Sequence, residues 1–218
     1  MFVSMFRIRP LALLFGALGL LGRGAAADEK PPKPMVIGEA QLPAGFPAPG
    51  PVGTVVVKEY PAYRLARTRG GAGDGGMFMK LFRHIERNDV KMTAPVEMTM
   101  SGDAGEAGRA GAMAFLYASP EIGAPGPDPA DADVVVEDVP ALTVASVGIR
   151  GGYGPGTFAT GEKQVRDWLG GHPEWQVAGP PRALAYNSPF VPGMLKYAEV
   201  QIPVSPRPRD PAAAPAKP

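Results

Sequence analysis

"VKMTAPVEMTM", Val90 to Met100, is the stretch on which the reading of the fold turns. Its β-branched residues favour a pleated strand, while Pro95 cannot donate to a ladder and belongs at an edge or a bulge. An interrupted strand is predicted. Met92, Met98 and Met100 alternate and are expected to line one face, as flexible thioethers that fill gaps in a core.

Immediately upstream, Phe78, Leu81, Phe82 and Ile85 recur at i, i+3, i+4 and i+7, with Lys80, Arg83, Glu86 and Arg87 elsewhere around the turn. This predicts an amphipathic helix feeding the strand. A second helix is predicted where Phe158, Val165, Trp168 and Leu169 share a face, ended by Gly170-Gly171 and Pro173. Each helix follows a similar phrase. "KEYPAYRLA" (Lys58 to Ala66) and "EDVPALTVA" (Glu137 to Ala145) both set an acid and a Pro-Ala pair ahead of an alternating strand, with Pro61 and Pro140 in register. An internal repeat is the natural reading.

Strands are predicted over Val52–Lys58, Tyr63–Thr68, Val96–Met100 and Ala112–Tyr117 in the first half. In the second they cover Val134–Glu137, Leu142–Ile149, Glu174–Ala178, Ala183–Asn187 and Lys196–Pro203. The runs Ser101–Gly111 and Ser119–Asp133 have loop compositions. Strands, a helix and more strands, twice over, give an α+β fold: an antiparallel sheet with helices packed outside it, open or curled toward a barrel.

The ends read differently. Arg7 and Arg9, the apolar run Leu11–Leu21 and the small residues Ala25–Ala27 form a secretory signal peptide over residues 1–27. A membrane anchor is the alternative, but the run falls short of the roughly 20 apolar residues a spanning helix needs. Export to a periplasm or to the outside is expected, with no stable membrane span after cleavage. Residues 28–51 are rich in proline, glycine and alanine and read as a flexible linker. Residues 205–218 read as a disordered tail. Between them, residues 52–204 are the size of one ordinary domain.

Composition excludes several chemistries. The chain has no cysteine, so disulfides and thiolate metal sites are ruled out, and its formal net charge of +1 offers no basic stripe for nucleic acid. No Gly-x-Ser-x-Gly, His-Glu-x-x-His or phosphate-binding loop is present. "RGGYGPGTF" opens the second helix but lacks the Lys and Ser/Thr of a phosphate loop. Pairing Glu59 with Glu97 as acid and base has no support in spacing, and no catalytic or metal-binding residue is assigned.

The run "GMFMKLFRHIERNDVKMTAPVEM", with "EYPAYRLA", "RGGYGPGTF" and "YNSPFVPGMLKYAEVQIPV" in that order, resembles the SOUL haem-binding protein family over nearly all of residues 52–204. The resemblance implies a distorted antiparallel β-barrel of two pseudo-symmetric halves, each carrying one helix, and no catalysis. It implies haem as cofactor, with Phe78 and Phe82 offering the apolar slot and Arg83 a cation for the propionates. The same spacing also fits Phe78 and Phe82 simply packing the helix onto the sheet.

For the iron, one animal branch has a histidine just before the tyrosine of the Tyr-Pro motif, where this chain has Glu59. His84, on the first helix, is the remaining candidate ligand, or else an exposed or half-buried helix residue; His172 reads as a solvated turn residue. Two functions follow: an exported haem or tetrapyrrole carrier or scavenger, or an effector-binding-type module of the same fold that takes another bulky hydrophobic small molecule between its halves. An acidic floor would favour the second and flanking cations the first. A third, structural role would lie in the proline-rich ends.

Overall fold

The computed structural model describes residues 40–69, 73–100, 110–188 and 190–208. The predicted signal peptide, the first part of the predicted linker, most of the loop Ser101–Gly111 and the end of the predicted tail lie outside the described residues.

The strands are β1 (Val55–Tyr60), β2 (Tyr63–Arg69), β3 (Val96–Met100), β4 (Ala110–Leu116), β5 (Gly126–Asp128), β6 (Asp131–Val139), β7 (Leu142–Arg150), β8 (Trp175–Val177), β9 (Arg182–Ala185) and β10 (Tyr197–Pro206). Helix α1 (Gly73–Arg87) follows β2 and helix α2 (Pro155–Gly170) follows β7. All strands join one antiparallel sheet in the order β1-β7-β10-β9-β3-β4-β2-β6-β5, with β8 on β10. The path has two ends, so the expected barrel is not closed. Pro61 and Pro140 stand in matching places, between β1 and β2 and between β6 and β7. In each case the flanking strands do not pair with each other: β1 pairs with β7, and β2 with β6.

Period-2 alternation divides the sheet into two faces. On one, Met98, Met100, Met113, Phe115, Val134, Val136, Ala145, Val147, Val200 and Ile202 form the main core with Met77, Leu81 and Ile85 of α1 and Phe158 and Val165 of α2. Helix α2 lies very close to the sheet: a Cβ on Gly161 would stand 2.6 Å from Val200 Cγ2. Helix α1 ends at Arg87, and two residues on Asp89, with a φ of 51°, takes the left-handed conformation that follows helix ends and that aspartate tolerates.

The interrupted strand is present with a different geometry. β3 is central, paired with β4 and β9, so Pro95 stands just outside its entry rather than at an edge, and the pairing irregularity falls between Thr99 and Met100. Met98 and Met100 are core residues, but Met92 precedes the strand and is 39% exposed. β5 lies inside the segment Ser119–Asp133 expected to be loop. Its three residues include a glycine and a proline, which conceal a strand from propensity.

The second face is covered by the chain itself. Residues 40–51, expected to be flexible linker, run across it: Leu42 and Phe46 pack on Tyr60, Val144, Leu184, Tyr186 and Tyr197, and Phe46 also on Tyr63, Leu65 and Leu116. Backbone hydrogen bonds tie the segment down, with Ala44 N–H donating to Ala118 O (2.9 Å), Ala94 N–H to Gln41 O (3.0 Å) and Gly148 N–H to Pro51 O (3.0 Å). Low apolar content did not leave this strap free, because two well-placed apolar side chains and paired carbonyls anchor it. At the other end β10 continues through Pro206, and Arg207 N–H donates to Glu174 O. The predicted tail therefore begins as strand.

Candidate functional site

On the helix face, Phe78 and Phe82 of α1 project one turn apart, with ring centroids 6.2 Å apart and planes within 12° of each other. Phe78 meets the core ring of Phe115 edge-on at 5.1 Å. Both rings are half-buried and form one wall of a groove of about 500 Å³. The other walls are Met92–Ala94 and Val96 at the entry to β3, Ala185–Ser188 after β9, Ala40 and Phe190. Phe190 is 92% exposed. An aromatic side chain left almost wholly in water beside an apolar groove is an arrangement suited to a hydrophobic ligand.

The four sequence-predicted residues separate here. Phe78 and Phe82 line the groove. Arg83 is exposed on α1 and is not part of the lining, and of the other cations on that helix Lys80 pairs with Asp133 and Arg87 with Asp128 (2.7 Å). Lys91 is exposed and shares an adjoining depression with Phe82 and Met92. His84 is turned elsewhere. It is buried, with Nδ1 2.5 Å from Asp128 Oδ2 and Nε2 2.8 Å from the Tyr117 hydroxyl. With both ring nitrogens held by protein, His84 does not fit the role of haem ligand; it fastens α1 to β5 and β4. Burial alone would raise the Asp128 carboxyl, but hydrogen bonds from His84, the Ala130 N–H and Arg87 hold it at about 2. His172, expected to be solvated, is half-buried and stacks on Trp168 at 3.7 Å.

The strap face carries a buried polar cluster in which, of the residues weighed from sequence, Glu97 takes part with partners other than Glu59. Glu199, fully buried, accepts from Lys58 Nζ (2.8 and 3.0 Å), from the Tyr186 hydroxyl (3.1 Å), from Gln201 Nε2 (2.8 Å) and from the Gly50 N–H of the strap, and the Tyr197 hydroxyl oxygen, which donates to the Gly50 carbonyl (2.7 Å), stands 3.2 Å from it. Beside it Glu97 accepts from Arg182 Nη1 (2.8 Å), Arg67 Nη2 (3.2 Å) and the Tyr63 hydroxyl (3.0 Å). Gln201 Oε1 joins the clusters by accepting from Arg182 Nε (3.0 Å). Burial first, then the neighbouring carboxylates, push the phenols of Tyr60, Tyr63, Tyr186 and Tyr197 above the ordinary range. Burial lowers Lys58 despite its pairing with Glu199. Glu59 points to solvent, so the imagined Glu59–Glu97 pair does not form. The missed signal was the alternation Tyr197-x-Glu199-x-Gln201, which in a strand covered on one face reads as the solvent side.

Among the described residues no group of three or more His, Asp or Glu could hold a metal ion, and no helix is long and apolar enough to cross a membrane.

The described residues form a helix-flanked antiparallel sheet that bears an apolar surface groove. The family model for SOUL heme-binding protein matches residues 52–203, and the chain belongs to that family. Among solved structures, the EcmrR C-terminal domain is similar with a TM-score of 0.53 at 16% identity, covering 71% of this chain and 98% of that one. EcmrR in its DNA complex gives the same score and identity, but there the match spans 58% of the EcmrR chain. A hydrolase from Listeria innocua is similar with a TM-score of 0.53 at 10% identity, covering 72% of this chain and 94% of that one. At these identities the likeness is one of fold. No curated protein sequence matches the chain.

Proposed function

We propose that this chain is a non-catalytic carrier or scavenger of haem or a related tetrapyrrole, held in the groove between α1, the entry to β3, Asn187, Ser188 and Phe190. The observation that carries the reading is the stacked pair Phe78 and Phe82 facing exposed Phe190 across about 500 Å³, within the usual range for small-molecule sites. A macrocycle needs such an apolar slot, and exposed Arg83 and Lys91 lie near enough in sequence to the lining to serve its propionates. The bound group would supply the tetrapyrrole chemistry, while the protein's residues hold and shield it. Family membership supports haem as the ligand class.

Export to a periplasm or the exterior rests on Arg7, Arg9, the apolar run 11–21 and Ala25–Ala27; intact-mass analysis of the secreted protein should start after Ala27, and a chain retaining Met1 would remove it. A duplicated origin is supported by the strand order, in which, β5 and β8 aside, β1, β7, β10 and β9 mirror β6, β2, β4 and β3. The effector-binding alternative is favoured by the fold likeness to the EcmrR domain and by the carboxylates between the halves, but the strap lies over them. Haemin titration of the full chain, followed by Soret absorbance, separates the readings. A saturable one-to-one shift supports the carrier, and a shift equal to that of an unrelated control protein refutes it.

A further inference from the structure

We infer that the strap face is a second ligand site, distinct from the groove, which residues 42–50 close by imitating its ligand, and that the ligand class is an aromatic ring bearing a carboxamide. The ring of Phe46 sits edge-on to two tyrosines at once, 4.9 Å and 84° from Tyr60 and 5.1 Å and 86° from Tyr63. Four residues on, the Gly50 N–H donates to Glu199 and the Gly50 carbonyl accepts from the Tyr197 hydroxyl at 2.7 Å. Ring, donor and acceptor are the three features an aromatic amide presents.

The floor is far more elaborate than a glycine N–H and a phenylalanine ring require. Two buried carboxylates, two buried cations and the hydroxyls of four tyrosines lie under the strap, and burying charge in this way costs stability even when the pairs are well made. A hydrophobic floor would hold the strap more cheaply. The guanidinium of Arg182 lies 5.0 Å from the centre of the Tyr60 ring that Phe46 abuts, and its Nη2, buried, has no hydrogen-bond partner among the described residues. That spare donor suits a carbonyl oxygen on an entering ligand. The strap joins the apolar clusters through Leu42 and Phe46, with Pro43 buried between them, and is otherwise held by single hydrogen bonds, whereas the sheet beneath is held by strand ladders throughout. Segments with few apolar contacts open at lower free energy than the sheets they cover.

The test uses the full chain with N-acetylphenylalaninamide as probe. The wild type, Phe46→Ala and Phe46→Leu are each titrated by calorimetry, and backbone hydrogen exchange is followed in the wild type. The expected result is at least tenfold tighter binding to Phe46→Ala than to the wild type. In the wild type, exchange at Ala44 and Phe46 should quicken as the probe saturates, while the amides of β10 stay slow. Phe46→Leu keeps an apolar plug and guards against an unfolded alanine variant; it should bind the probe more tightly than the wild type as well. Equal affinity across folded variants overturns the inference, as does exchange of the strap amides only at the rate of global unfolding. Probe affinity lost in Phe82→Ala would place the binding in the groove and overturn it too.

Discussion

The two faces of the sheet invert the usual relation between polarity and burial. On the helix side, apolar rings are left half in water at the groove; on the strap side, carboxylates, a lysine, an arginine and tyrosine hydroxyls are taken out of it. Both departures oppose what stability alone favours, since exposed aromatic surface forgoes about 25 cal/mol per Å² and buried charge pays desolvation. Such departures mark the places where a fold is shaped for something other than its own stability. Along β10 the two faces are set by alternating residues: Val200 faces α2, while Glu199 and Gln201 face the strap.

The comparison is broken most severely on the strap side. Glu199→Ala leaves Lys58 buried without its partner, and a loss of about 3–5 kcal/mol in denaturant unfolding is expected. A loss under 1 kcal/mol would mean that water already reaches the pair. On the helix side, Gly161→Ala forces a methyl against Val200, and overpacking should cost up to about 3 kcal/mol. A thermal melt unchanged by that substitution would show α2 free to lift.

Acid sharpens the contrast between the groove-facing and anchoring sides of α1. The Asp128 carboxyl lies at about 2 in the folded state, below its ordinary value of 3.8. Its contribution, about 2 kcal/mol, is therefore complete above pH 4 and is lost as pH falls through 2. Stability followed from pH 5 to 2 should decline more steeply in the wild type than in Asp128→Asn; parallel curves would contradict the assignment. The smallest effect belongs to Gly75, an α1 residue whose added Cβ would meet nothing within 4 Å. Gly75→Ala should raise stability by under about 1 kcal/mol through helix propensity, and a loss would reveal a contact at the start of α1.

How much of this was legible in the chain depends on the range of the interactions involved. Both helices and β3 follow from local periodicity, and the shared side of Phe78 and Phe82, which line the groove, follows from the same stripe, because a helix places i and i+4 on one side. His84 was misread because its partners, Asp128 and Tyr117, arrive from β5 and just after β4, thirty and more residues away. The strap escaped for a related reason. Proline and glycine composition reports the entropy of a free segment, but Leu42, Phe46 and Gly50 find their partners on β1, β2, β9 and β10, and no local pattern announces that.

A tetrapyrrole held as proposed would lie on the helix face and not on the strap face. The most direct measurement is haemin affinity, by Soret titration, of the full chain beside Phe78→Ala/Phe82→Ala on one face and Phe46→Leu on the other. Affinity at least tenfold weaker in the helix-face variant, and unchanged in the strap variant, is the predicted result. Haemin binding that survives loss of both groove rings but changes with Phe46 would contradict it.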